Sequence, residues 1–410
     1  MGERAKVGRL EPVLRAYDWG SVAAIPDFLG IPSTGEPMAE AWFGAHATGP
    51  SMLVTPESTE DLATAIARDP RHLLGPLVDA RHHGELPYLV KVLAAARPLS
   101  IQAHPSTEQA AVGYAREEAA GVARDAPGRV YRDPNAKPEA MLALEPFELL
   151  YGFRAPLESA ALLAALGVRS LDSVERRLGQ NDGDALREVS LSLCEQTAAA
   201  RAATIAELVT ACESRPVPDH EDTCRWVARL GREFPADVGV LFALLMNYGR
   251  LERFEACFLP ARTLHAYLCG VGIEVMGNSD NVLRAGLTSK FIAIDELMAT
   301  LDFSPSHVEA LEPSTLGTGE IRYPVPVEAF GLSLVTLEAA SFDATVIGPE
   351  ILIVVEGRVE VLVEHEAAVV LDQGDVLFVP GSIGRYQVRG TGRLVRSVVG
   401  DAVDGISTRP

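Results

Sequence analysis

The 410-residue chain is 48% hydrophobic, enough to bury a large core, and its 36 basic against 56 acidic residues leave a formal charge of -20. That charge repels nucleic-acid phosphates and anionic membrane faces, so neither is an expected partner. No leader-like apolar region follows the first six residues and no later run approaches the roughly 18 apolar residues of a membrane span, so a cytoplasmic protein is expected.

Between Leu10 and about Tyr151, short apolar runs are broken by Gly, Pro and Asp, as in Tyr17-Asp18-Trp19-Gly20-Ser21 and Leu86-Pro87-Tyr88-Leu89-Val90-Lys91-Val92, and predict a β-rich region. From Pro156 to Phe254, apolar residues recur at helical spacing, as at Leu157, Ala161, Leu162 and Leu166. The breakers around Pro216 and Pro218 divide this block. Strand texture returns at Phe258–Leu268 and runs on to Gly277, so the helices read as an insertion into a β domain, or a lid on it. A helix is expected within Ser289–Glu309 and a linker over Pro313–Pro326. From Val327 to Val399, Gly turns separate short alternating runs, which predict a small jelly-roll barrel. Its Gly374-Asp375-Val376-Leu377-Phe378-Val379-Pro380 segment is similar to that of cupins. His365 stands alone there, too few ligands for a metal, so this barrel reads as structural.

Five widely spaced cysteines without a C-x-x-C pair read as free thiols and leave any metal to His, Glu, Asp and Gln. In Leu99-Ser100-Ile101-Gln102-Ala103-His104-Pro105, an extended strand aims Ser100, Gln102 and His104 at one side and the apolar residues at the other. A half-buried edge strand shows the same alternation. Pro138 disfavours the α conformation at Lys137, so Lys137 and Glu139 share a face, as an exposed ion pair or as a ligand beside a cation. His265 sits in an apolar run, where a hydrogen-bonded core residue is the alternative to a ligand. Beyond Glu274 comes a dense polar loop holding Asp280, Arg284 and Lys290, which reads as an active-site loop. Taken together, these segments offer two histidines, a glutamate and a glutamine to one metal, a set that suits zinc.

In this order the segments resemble the type I phosphomannose isomerases. The resemblance rests on Tyr-Asp-Trp-Gly-Ser at 17–21, Ala-Glu-x-Trp-x-Gly-x-His at 39–46, Leu-Pro-Tyr-Leu-Val-Lys at 86–91 and Leu-Ser-Ile-Gln-Ala-His-Pro at 99–105. Lys-Pro-Glu at 137–139 and Asn-Ser-Asp-Asn-Val-Leu-Arg-Ala-Gly-Leu-Thr at 278–288 extend it, so that it covers about residues 10–293. It implies Gln102, His104, Glu139 and His265 as ligands of one zinc ion per chain and Arg284 as an essential active-site arginine. The fold it implies is mainly β with α. A cupin-type catalytic domain over 1–152 and 254–325, the latter including the linker, is interrupted by a helical domain at 153–253 and followed by a barrel at 326–410. Bacterial relatives commonly carry His before Lys-Pro-Glu; here the residue is Ala136, so no proton-transfer role can be carried over to it.

The implied reaction interconverts mannose 6-phosphate and fructose 6-phosphate by moving a proton between carbons 2 and 1 through a cis-enediol. Zinc would stabilise charge on the enediol oxygens and a protein base would take the proton. Glu274 and Asp280 are the candidate bases, unranked, with Lys137 assisting ring opening or charge stabilisation. Arg284, Lys290, Lys91 and Ser100 are candidates for the phosphate, a solvated surface cation being the alternative for Lys290. Trp19 and Asp18 are expected in the pocket wall, core packing being the alternative for Trp19. The expected partner is a small-molecule sugar phosphate, and the sequence is compatible with a monomer. The competing readings are a non-catalytic sugar-binding cupin, a metal-dependent oxygenase and a phosphoglucose isomerase.

Overall fold

The computed structural model describes residues 6–307, 309–317 and 319–400; residues 1–5 and 401–410, at the outer ends of two expected divisions, lie outside the described residues. The described strands form two antiparallel sheets of ten strands each, so the chain is mainly β with α, as its texture predicts.

The first sheet is organised by the long strand His265–Gly277, which pairs with Tyr88–Ala95 along one edge and with Glu139–Ala143 and Phe147–Phe153 along the other. Every residue of Tyr88–Ala95 is buried, which explains a near-continuous apolar run rather than alternation: both faces of the strand are covered. Lys91 is the only charged residue in that run. At its start, His265–Gly277 also meets the short strand Ile101–Ala103, which in turn pairs with Leu283–Gly286.

Six helices between Pro156 and Leu245 pack beside this sheet. They share one core with it, in which Trp226 and Phe242 are buried together with Ile101, Ala103 and Leu283. The apolar side of the Gln102 strand is thus clamped by helices, which leaves its polar side for the cavity. Helical texture ends at Leu245 rather than Phe254, because Met246–Leu251 pairs with Phe147–Phe153 and extends the sheet edge. The run expected as one strand from Phe258 splits into Ala256–Leu259 and His265–Gly277, with Pro260 opening the intervening turn. Within Ser289–Glu309 the helix is Ile294–Thr300.

The second sheet holds the C-terminal strands, of which Gly331–Thr345, Glu350–Val363 and Arg385–Val398 are the longest. Residues 313–326 include the short strands Ser314–Thr315 and Glu320–Tyr323, which join its edge. Its composition does not follow chain order: Gly8–Glu11 pairs with both Val376–Val379 and Met52–Val54.

Candidate metal centre and substrate cavity

Strand register places the candidate ligands. His265 lies directly across the ladder from Gln102, and Arg284 lies across from Gln102 on its other side, so residues far apart in sequence form one row. Glu139 opens its strand opposite Met276 and Leu259. The result is a buried trio: His104 Nε2 lies 3.3 Å and His265 Nε2 3.1 Å from the Glu139 carboxylate, with the three side chains 1%, 1% and 0% exposed. Gln102 Nε2 is 3.4 Å from His265 Nε2, and turning the amide over presents Oε1 to the same point.

Backbone carbonyls fix both imidazoles. His104 Nδ1 donates to the Asn281 carbonyl at 2.6 Å and His265 Nδ1 to the Thr263 carbonyl at 3.0 Å, which leaves both Nε2 lone pairs turned inward. Burial keeps His104 neutral, its pKa pushed down to about 4, and the neighbouring Lys137 ammonium adds to this. Against the desolvation that burial imposes, Lys137 and His104 hold the Glu139 carboxyl well below its usual range. Ligands in these protonation states are ready for a cation.

Polar atoms without partners test the fit to a metal. His104 Nε2 and both Glu139 oxygens are buried, and although they approach their neighbours, none has hydrogen-bond geometry. Buried polar atoms are rarely left so, and three converging on one point match the donor set of a divalent cation. Ligand atoms of His104, Glu139 and His265 all lie within 4.8 Å of one another. Two imidazoles, one carboxylate and an amide oxygen fit zinc.

The trio's carboxylate faces a cavity of about 950 Å³, whose lining includes every other candidate residue: Asp18, Trp19, Lys91, Ser100, Gln102, Lys137, Glu274, Asp280, Arg284 and Lys290. Lys137 is buried, its Nζ 2.7 Å from Glu139 Oε1, so the pair read from Lys-Pro-Glu is an internal one. Lys91 is committed as well. It lies 2.7 Å from Glu274 and 3.7 Å from Glu40, and these carboxylates hold its ammonium well above the usual lysine value against desolvation. Glu274 is equally engaged, since Tyr267 donates its hydroxyl to Oε1 at 2.7 Å. Asp280 differs: its side chain is 33% exposed, and His46 Nε2, at 3.5 Å, is its only ion-pair partner among the described residues.

Arg284, half-buried, and Lys290, at the exposed mouth, form no ion pair among the described residues. Burial lowers the pKa of Arg284, helped by the Arg132 guanidinium. Lys290 is lowered by burial, Arg284 and Arg132. Three cations thus share one rim of a chain carrying a formal charge of -20. Arg132 escaped the sequence reading, although it lies shortly before the Lys-Pro-Glu motif. His46 escaped too, despite standing in the Ala-Glu-x-Trp-x-Gly-x-His motif. Its Nδ1 accepts from the Thr48 amide at 3.2 Å, which leaves Nε2–H turned to Asp280. Asn281 ties the site together, its side chain bonding the backbone of Arg132, Asp133 and Asn135 while its carbonyl holds His104.

Comparison with known proteins follows the same lines. Residues 7–156 match the model of the type I phosphomannose isomerase catalytic domain, and 319–399 that of the mannose-6-phosphate isomerase cupin domain. Mannose-6-phosphate isomerases of Salmonella typhimurium and Escherichia coli are 38% and 37% identical over 93% of this chain and 96% of theirs. One from Arabidopsis thaliana is 33% identical over 92% of this chain and 90% of its own. Among solved structures, the Salmonella typhimurium mannose 6-phosphate isomerase bound to fructose 6-phosphate and zinc superposes with a TM-score of 0.89 at 36% identity, over 97% of this chain and 100% of that one. Identity of this extent, with both domain models matched, shows that the chain belongs to the type I phosphomannose isomerase family.

Proposed function

We propose that the protein is a mannose-6-phosphate isomerase that interconverts mannose 6-phosphate and fructose 6-phosphate with one zinc ion held by Gln102, His104, Glu139 and His265. The observation that carries the reading is the buried His104–Glu139–His265 trio, whose carboxylate faces a cavity rimmed by Arg284, Lys290 and Arg132. Bound there, zinc would supply Lewis-acid stabilisation of negative charge on the sugar oxygens. Arg284, Lys290 and Arg132 take the phosphate, with Arg able to grip two oxygens and Ser100 adding a hydroxyl. Of the two candidate bases, Asp280 is the better placed, because the Glu274 oxygens are already occupied by Lys91 and Tyr267. Asp280 takes the carbon-2 proton and returns it to carbon 1 through the cis-enediol. Glu274 keeps Lys91 in place, and Lys91 and Lys137 supply positive charge along the cavity wall. Asp18 and Trp19 form its outer edge.

The remaining elements of the reading are a catalytic domain at 1–152 and 254–325, a helical insertion at 153–253 and a C-terminal barrel at 326–410. We read the protein as a cytoplasmic monomer without a nucleic-acid or membrane partner; no described helix is long and apolar enough to cross a membrane. A coupled assay of mannose 6-phosphate conversion, before and after chelation and zinc restoration, tests this. Activity lost on chelation and regained with zinc is expected. No turnover by metal-loaded protein would sink the reading in favour of a non-catalytic sugar-binding cupin.

A further inference from the structure

The loop that carries Lys290, directly after the strand of Arg284, is anchored from outside its own sheet. Asp237 caps the helix Val238–Leu245, accepting from the Gly239 amide at 2.7 Å. The same carboxylate reaches across to the loop and accepts from the Leu287 amide at 2.8 Å and the Thr288 amide at 3.1 Å. Backbone contact reinforces the tie. A Cβ on Gly286 would lie 2.3 Å from Gly239 backbone atoms, and one on Gly239 would lie 2.6 Å from the Leu287 amide nitrogen. Leu287 itself has φ of +56°, a conformation costly for a side chain with a Cβ and kept only where the surroundings hold it. Its side chain is 4% exposed in the core shared by the helices and the sheet. From Thr288 the constraint passes onward, because its hydroxyl accepts from the Lys290 amide at 3.1 Å. Leu287, Thr288, Ser289 and Lys290 all line the substrate cavity.

We propose that Asp237, an acidic residue of the helical insertion, is a positioning residue for sugar-phosphate binding: it sets the path of Gly286–Lys290 and so aims Lys290 at the phosphate beside Arg284. The inference rests on the reading of those cations as the phosphate site. Asp237 lines no part of the cavity and touches no substrate; it acts through the two amides it holds. The helices are therefore part of the binding apparatus rather than a passive cover. A loop released at Leu287 relaxes towards ordinary backbone angles and carries Lys290 away from the phosphate. This weakens binding in ground and transition states alike, so KM rises while kcat holds.

The test compares Asp237→Asn, which keeps one acceptor oxygen, with Asp237→Ala, which removes both, in the full zinc-loaded chain. Readouts are kcat, KM for mannose 6-phosphate, the inhibition constant of inorganic phosphate, zinc content and thermal midpoint. In Asp237→Asn, KM and the phosphate inhibition constant are expected to rise about tenfold, the worth of one hydrogen bond to a charged group, with kcat within about threefold and zinc content unchanged. Asp237→Ala is expected to rise further. Unchanged KM and inhibition constant in both variants, or a fall in kcat at constant KM, would overturn the positioning role. Lys290→Ala separates the underlying reading: an unchanged phosphate inhibition constant there would overturn the phosphate site itself. A raised constant there, with both Asp237 variants unchanged, would overturn only the part assigned to Asp237.

Discussion

Lys91 and Glu274 stand directly opposite one another across the central ladder, and their side chains meet at 2.7 Å with exposures of 7% and 3%. Removing Lys91 strands Glu274 and Glu40 without their cation, and removing Glu274 leaves Lys91 with only the more distant Glu40, at 3.7 Å. Lys91→Met or Glu274→Leu alone should cost about 3–5 kcal/mol, whereas the double substitution should cost less than the sum, because only Glu40 is then left without its cation. A double-mutant cycle by denaturant unfolding checks this; additive losses would mean that the pair is not coupled. All three variants should lose most isomerase activity, as Lys91 lies in the cavity wall.

Metal binding should be readable without any assay of turnover. Glu139→Gln keeps the side chain's volume but removes its charge and strands Lys137. Its zinc affinity should fall by more than about 100-fold, since losing even a group that only hydrogen-bonds a metal ligand costs about 10–100-fold. Zinc at about 100 times its dissociation constant should stabilise the parent protein by about 2.7 kcal/mol, and Glu139→Gln by less than about 0.4 kcal/mol at the same concentration. Calorimetric titration and thermal shift measure these quantities, and equal affinity in the two proteins would remove Glu139 from the ligand set.

The depressed pKa of Lys290 has a definite sign in activity. Burial, Arg284 and Arg132 all disfavour its charged form, so it loses its proton at lower pH than an ordinary lysine. Phosphate, already dianionic in that range, then meets one cation fewer. The quotient kcat/KM, which reports the free enzyme, should therefore fall on the alkaline side below the usual lysine value near 10.4, and Lys290→Arg should extend the plateau upward. A pH–rate profile of both proteins decides it; identical alkaline limbs would assign that titration to another group.

Stability and catalysis should separate in the second sheet. Arg396 is held between Glu350, at 2.6 Å, and Glu320, at 2.9 Å, and Tyr386 donates its hydroxyl to Glu350 at 2.6 Å. Arg396→Met leaves two largely buried carboxylates without their cation and should cost about 3–5 kcal/mol. The network has no part in the substrate cavity, so kcat and KM of the folded variant should match the parent. Unfolding curves and steady-state kinetics on one preparation make the comparison.

The sequence carried those parts of the site that depend on local geometry. Alternation foretold that Ser100 and Gln102 would line the cavity while Ile101 and Ala103 joined the core, because a strand's two faces are set by its own dihedrals; Leu99, outside the strand Ile101–Ala103, lines the cavity against that expectation, and His104 does not line it. Pro138 likewise foretold that Lys137 and Glu139 would share a face, and they meet at 2.7 Å. Relationships across the chain were out of reach. Nothing near Lys91 announces that two carboxylates consume its charge, and nothing near His46 announces Asp280, since both follow from the register of distant strands. Arg132 was passed over because a single arginine in a polar loop carries no periodic signal; its importance lies in facing Arg284 and Lys290. The end of the helical block was misplaced for a similar reason. Met246–Leu251 has no strong strand pattern and takes its conformation from the edge of Phe147–Phe153.

Pairing of Gly8–Glu11 with Val376–Val379 also bears on how the chain is made. During synthesis the early strand leaves the ribosome long before its partner exists, so the sheet cannot close until nearly the whole polypeptide has been released. Until then Gly8–Glu11 offers an open edge to other nascent chains, a route to aggregation and a source of slow folding. Shortening the chain before Val376 would make that transient exposure permanent.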